Sequence, residues 1–355
     1  MKPVIYHCVS RVVERRFALG DVEREQFRIF MRMYENFTSC RVLSYCVMSN
    51  HIHILLEVPP MPAGGLGDEE LLKRLRAIYS DAVVADVEKE LKEARAKDLS
   101  AYAAEIHARY TYRMHNLSEF MKTVMQRMTQ WFNREHNRTG TLWESRFTSV
   151  IVESGIAARM MAAYIDLNPV RAGMVVDPAE YRWSSYGEAV GGGNKGNGKK
   201  AREGLVRACM CHKGAGFEAE KWKEVARMYR KLLGLALERK AGKAGEMVTA
   251  EKSKRLAAVT EKALQPGAKP TPNTAKLDEN ETVLRELEMA AMLRHRVRYF
   301  TAGAVIGSKM FVNEAFAQAR ERFGGKRKDG ARKMRGVAES AAGALWSARD
   351  LRMEV

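Results

Sequence analysis

Residues 1–187 of the 355-residue chain are expected to form an α+β domain, an antiparallel sheet with helices on one face. Three observations lead there. Runs rich in β-branched residues occur at 4–13, 41–48, 51–58 and 146–153, each of strand length. Apolar residues recur at helical spacing within 21–37 and 117–137, the mark of helices with one buried side. The resulting order, strand, helix, strand, strand, helix, strand, helix, is that of a ferredoxin-like arrangement.

The first strand carries Val4, Ile5, Val9, Val12 and Val13. Asp21 is expected to cap a helix running to about Phe37, whose stripe is Phe27, Phe30, Met31 and Tyr34. Ser49-Asn50 separates the second and third strands, so these form a hairpin. Pro59, Pro60, Pro62 and the glycines at 64, 65 and 67 stop the third strand. Residues 68–115 are charged and helical, an inserted helical pair; the insertion as a whole spans about 61–115. The helix at 117–137 buries Phe120, Val124, Met128, Trp131 and Phe132. Ser154 caps a last helix that ends near Asn168-Pro169, because a residue before proline avoids helical geometry.

Glycine-rich residues 188–202 read as a linker, followed by a helical segment at 203–239. A proline-containing flexible linker occupies 240–280, and a basic helical region 281–355. Charge is uneven. Residues 1–186 hold 25 basic and 23 acidic side chains, residues 187–355 hold 35 and 20, and the formal net charge is +17. A near-neutral half joined to a basic half suggests a polyanion partner, most simply nucleic acid, although a solvated, lysine-rich tail has the same composition.

Hydrophobic residues at 46% and charged residues at 29% exclude wholesale disorder. No apolar run is long enough to cross a bilayer, and no charged segment with an apolar signal core precedes Val4. Both point to a cytoplasmic protein without membrane association. Five cysteines form no disulfide framework. Cys209-Met210-Cys211-His212 is too tightly spaced for a zinc knuckle and has no second pair.

Chemistry concentrates in Asn50-His51-Ile52-His53. Alternate strand residues share a face, so His51 and His53 lie on one side, about 7 Å apart along the backbone. Two neutral imidazoles so placed can converge on one divalent cation, although a bare His-x-His more often marks a half-exposed sheet surface. Tyr164 and Asn168 are four residues apart and share a helix face, which brings a hydroxyl and an amide oxygen together at the helix end. Tyr6, Tyr34, Tyr45 and Tyr186 have no Asn or Gln four residues on. Asp166 falls on another side of that helix and is expected to be solvated.

Five motifs together resemble the HUH single-tyrosine transposases, in particular the REP-associated tyrosine transposases. They are Tyr6-His7-x-x-Ser10-Arg11; Asn50-His51-Ile52-His53; Gly140-x-Leu142-Trp143-x-x-Arg146-Phe147; Tyr164-Ile165-x-x-Asn168-Pro169-Val170-Arg171-Ala172-Gly173; and Trp183-Ser184-Ser185-Tyr186. They occur in the family's order and cover about residues 4–187. The resemblance implies an HUH nuclease core acting on single-stranded or hairpin DNA. It implies Mg²⁺ or Mn²⁺ held by His51, His53 and Asn168, and Tyr164 as the nucleophile that forms a 5′-phosphotyrosine. It also implies a nucleoid-associated enzyme, monomeric or homodimeric.

Arg11, Arg146 and Arg171, with Arg294, Arg296 and Arg298 in the basic tail, are candidate DNA contacts. For Arg146 and Arg171 a structural ion pair is an equal expectation. Trp143 and Trp183 suit core packing better than base stacking. The segment from Arg296 to Val312, where Ser308 precedes a helix, resembles tails of longer members of the same branch, and a DNA-docking module is one physical reading of it. A rival for the whole chain is an idle, domesticated transposase that binds or regulates repetitive DNA.

Overall fold

The computed structural model describes residues 2–193, 195–210 and 218–237, and beyond them 289–290, 292–293, 298–301, 303–322, 330–333 and 345–349. The chain divides into two units, Met1–Trp222 and Lys223–Val355.

In the first unit, β1 (Val4–Arg11), α1 (Asp21–Thr38), β2 (Arg41–Val47) and β3 (His51–Val58) lead into three inserted helices. These are α2 (Asp68–Leu75), α3 (Asp81–Ala96) and α4 (Ser100–Thr111). Then come α5 (Leu117–Glu135), β4 (Thr148–Val152), α6 (Ile156–Asp166), the short α7 (Asn168–Arg171), α8 (Ser185–Gly191) and α9 (Gly196–Met210). Antiparallel pairing of β2 with β3, β3 with β1 and β1 with β4 gives the strand order β2-β3-β1-β4, as expected for a ferredoxin-like α+β sheet.

Register divides the layers. His53 lies opposite Val9 and Cys46, whereas Ile54 lies opposite Cys8 and Tyr45. On the Ile54 side the Arg32 guanidinium of α1 stands 5.3 Å from the Tyr45 ring centre. Phe27 of α1 meets Trp143 edge-on, and Trp143 Nε1 donates to the Met125 carbonyl of α5 at 3.0 Å. On the His53 side sit Tyr164 of α6 and Arg207 of α9, whose Nη2 is 2.7 Å from Glu57 Oε1. Helices therefore cover both faces rather than the one expected, and every residue of β3 between its ends is buried. Trp143 and Trp183 are both buried, in keeping with core packing. Arg24 of α1 stacks over Trp183, 4.2 Å from the ring centre.

Several boundaries differ from expectation. Residues 61–115 hold three helices, not a pair, closed around Leu71, Leu75, Val84, Val87, Leu91 and Ile106 together with Phe37 of α1. β1 ends at Arg11 and β4 begins at Thr148. Gly155, not Ser154, precedes α6, with φ +86°, a backbone suited to glycine. The glycine-rich stretch is largely helical: α8 and α9 occupy most of 188–202. A Cβ on Gly204 would lie 2.5 Å from the Val42 carbonyl oxygen and 2.8 Å from that of Leu43. Glycine here permits close helix–strand contact instead of flexibility, and the first unit continues to Trp222, not 187.

In the second unit, α10 (Trp222–Leu237) is followed by β5 (Gly303–Gly307), α11 (Lys309–Gln318), β6 (Arg332–Lys333) and β7 (Trp346–Arg349). β7 pairs antiparallel with both β5 and β6, so 281–355 is not wholly helical. Val305 and Ile306, β-branched and bounded by Gly303 and Gly307, favour strand over helix. Ser308 caps α11, its hydroxyl accepting from the Phe311 N–H at 3.2 Å. The expected linker at 240–280 lies outside the described residues. No helix among the described residues is long and apolar enough to cross a membrane.

Candidate active site

The pleat of β3 sends His51 and His53 to one face, their ring centres 4.9 Å apart. Each imidazole is held by a neighbour. His51 Nδ1 is 2.6 Å from Asn50 Oδ1. His53 Nδ1 is 2.9 Å from Nε2 of His7, a fully buried residue of β1. In both rings Nε2 is the nitrogen outside these bonds.

Tyr164 stands over this pair from α6. Its ring is perpendicular to that of His53 at 5.7 Å between centres and lies 6.0 Å from that of His7. The end of its helix is stitched. Asn168 Nδ2 donates to the Tyr164 and Ile165 carbonyls at 3.0 and 3.2 Å, and Arg171 Nη1 donates to the Tyr164 carbonyl at 3.0 Å. The Arg171 guanidinium also faces the Tyr164 ring, 5.1 Å from its centre. Arg11 pairs in register with His51.

Burial sets the protonation states. It pulls the His51 pKa down to about 4, aided by the positive charge of Arg11. It lowers that of His53 strongly, with His7, His51, Arg11 and Arg171 adding to the effect. Both imidazoles are therefore neutral near pH 7, the form that can ligate a cation. Burial raises the Tyr164 pKa, against the opposing influence of Arg171, a hydrogen bond from Asn168, and Arg11. The phenol stays protonated in this arrangement and only 3% of it is exposed.

His51, His53, Tyr164, Asn168, Arg11 and Arg171 thus come together in one place. Arg146 is exposed, just before β4. Arg294 and Arg296 lie outside the described residues, and of Arg298 only its backbone in a helical turn is described. Asp166 is fully buried instead of solvated; it accepts from the Tyr186 N–H at 3.0 Å and so fastens α6 to α8.

Sequence reasoning gave His7 no role of its own. Its odd-numbered position on β1, the parity shared by His51 and His53, was the available signal, but without the β1–β3 register nothing aligned it with His53.

The two neutral imidazoles, each with Nε2 outside the bonds given above, are groups that could hold a divalent cation. Neighbours that engage each Nδ1 are the arrangement that orients metal-binding histidines. Among the described residues no group of three His, Cys, Asp or Glu is placed to hold a metal.

The profile of a family described as IS200-like transposases matches residues 1–83, a stretch that includes β1, α1 and the His51–His53 hairpin. The resemblance read from the motifs is borne out over that stretch. No curated protein matches the chain. A solved structure described as a REP-associated tyrosine transposase bound to a REP hairpin is similar at 13% identity and a TM-score of 0.34, with 56% of this chain and 85% of that chain covered.

Proposed function

With the IS200-like transposase pattern in residues 1–83 as the starting point, we propose that the chain is a metal-dependent endonuclease and strand transferase for single-stranded DNA, acting at hairpin-forming repeats. The observation that carries this reading is the perpendicular stance of Tyr164 over the His51–His53 pair.

His51, His53 and the amide oxygen of Asn168 would hold Mn²⁺ or Mg²⁺. Such an ion supplies charge stabilisation at the reacting phosphate. Tyr164 is the nucleophile. Its Oη forms a bond to phosphorus, the P–O3′ bond breaks, and the departing oxygen takes up a proton as a free 3′-OH. The 5′-phosphotyrosine retains the phosphodiester energy, so a later attack by a 3′-OH rejoins DNA without ATP and releases the phenol.

Arg171 and Arg11 favour the phenolate that forms on the way, opposing the burial that keeps the resting phenol protonated. Asn50 and His7 keep the imidazoles oriented.

The test is incubation with hairpin DNA bearing a single-stranded overhang, with and without Mn²⁺ or Mg²⁺, followed by denaturing electrophoresis. A metal-dependent protein–DNA adduct is expected, and Tyr164→Phe should abolish it while DNA affinity stays within about twofold. Undiminished adduct in that variant removes Tyr164 as nucleophile.

The near-complete burial of Tyr164 favours one rival, a repeat-binding protein without cleavage. Tight binding with no adduct under either metal would select it.

A further inference from the structure

We propose that the turn at residues 14–17 is a ledge on which an unpaired nucleic-acid base stacks, with Phe17 as the platform and Arg15 and Arg16 as phosphate contacts. This rests on the nucleic-acid reading above and adds a binding site to it.

Phe17 is 82% exposed, whereas Phe27, Phe37 and Phe120 of the same domain are completely buried. Arg15 and Arg16, which precede it in the chain, are exposed as well.

The backbone that presents it is strained and firmly held. Glu14 and Arg15 both have φ +56°, a left-handed conformation that side chains other than glycine adopt only at a cost. Hydrogen bonds fix the turn from both sides. The Val13 N–H donates to the Leu142 carbonyl at 2.9 Å, and the Arg15 N–H to that of Val12 at 2.9 Å. Asn50 Nδ2 donates to the Arg15 carbonyl at 3.2 Å. The Leu19 N–H donates to the Ser49 carbonyl at 2.9 Å, and Leu19 itself is buried.

Phe17 therefore sits two residues from each of two anchors, both on the turn that leads into His51. Asn50 performs two tasks: one amide atom holds the ledge and the other holds the His51 ring. The ledge is thereby tied to the metal-binding strand.

Its chemistry matches a single strand. An aromatic face takes any base, with a worth of about 1–3 kcal/mol per stacked base, and the guanidinium fork suits phosphate. Arg16 forms an exposed ion pair with Glu14, of a kind that contributes little and is readily exchanged for a phosphate.

The test measures binding of fluorescein-labelled (dT)20 and of a 20-mer of abasic nucleotides to the full chain, in chelator so that no chemistry intervenes. Phe17→Ala is expected to weaken (dT)20 binding about tenfold, the scale of one lost stack, and to leave abasic binding unchanged. Phe17→Trp should restore it. The double substitution Arg15→Ala with Arg16→Ala should weaken both oligomers and lower the salt slope by roughly 1.4, the share of two phosphates on a single strand.

Wild-type affinity for (dT)20 in Phe17→Ala, or an equal loss with the abasic strand, overturns the ledge while the nuclease reading stands on its own adduct assay. Failure of the wild-type chain to bind either oligomer also overturns the ledge, and the nuclease reading is again decided by its adduct assay.

Discussion

At the scale of single residues, the histidines of the site carry a signature in acid. Burial depresses the pKa of His51 to about 4 and that of His53 well below the usual imidazole value. In the unfolded chain both take up protons near pH 6.5. Below that pH the unfolded state binds more protons than the folded one, so stability rises with pH and is lost as acid is added. In chelator, the melting temperature is therefore expected to fall between pH 6.5 and 5, above the carboxylate range. His51→Gln should make that fall shallower when followed by calorimetry. A variant with the wild-type slope would mean that His51 is not held neutral by the fold. Asp166 teaches a related lesson. On a helical wheel it faces away from Tyr164, and a charged side chain so placed is usually solvated. The Tyr186 N–H, brought in by a segment twenty residues on, gives it a buried partner.

At the scale of elements, the strands and the two long helices were legible because each buries one face, and burial writes its period into the sequence. The hairpin bearing His51 and His53 was legible for the same reason, with Ser49-Asn50 as punctuation. What composition could not convey was the meaning of glycine between 191 and 204. Glycine allows a loose chain and also allows two backbones to touch, and only the packed structure separates the cases. Gly204→Ala places a methyl against the carbonyls of Val42 and Leu43, which are backbone atoms and cannot turn aside. Forcing α9 from β2 should cost about 1–3 kcal/mol, measurable by urea unfolding. An unchanged midpoint would show that α9 does not bear on β2 in solution. Likewise His7 became part of the site only through strand pairing, a long-range relation between residues 46 positions apart.

At the scale of the molecule, the basic character belongs mainly to the second unit. Residues 223–355 contain 28 basic and 16 acidic side chains, against 32 and 27 in residues 1–222. A chain ending after Trp222 keeps the whole first unit, with α9 in place, and is expected to fold and to retain the metal-dependent adduct. It should bind DNA more weakly and with a shallower dependence on salt, because fewer phosphates are neutralised. Titration of both lengths between 50 and 200 mM salt reads this directly, on the order of the range over which such contacts are usually resolved. Parallel salt slopes would show that the second unit leaves the phosphates untouched. A chain ending at 187, the boundary suggested by glycine content, removes α9 and the Arg207 partner of buried Glu57, and should unfold at lower urea than the longer form.

The stitching of Tyr164 has a consequence for the path of the DNA. Its carbonyl is gripped by two side chains, so the helix end is not a swinging arm and the phenol has only its own side-chain rotations. On the proposed chemistry, a cut end attached there stays beside the place where it was cut. Any exchange of partners must then come from the looping of the substrate itself, with the folded strand acting as its own shuttle.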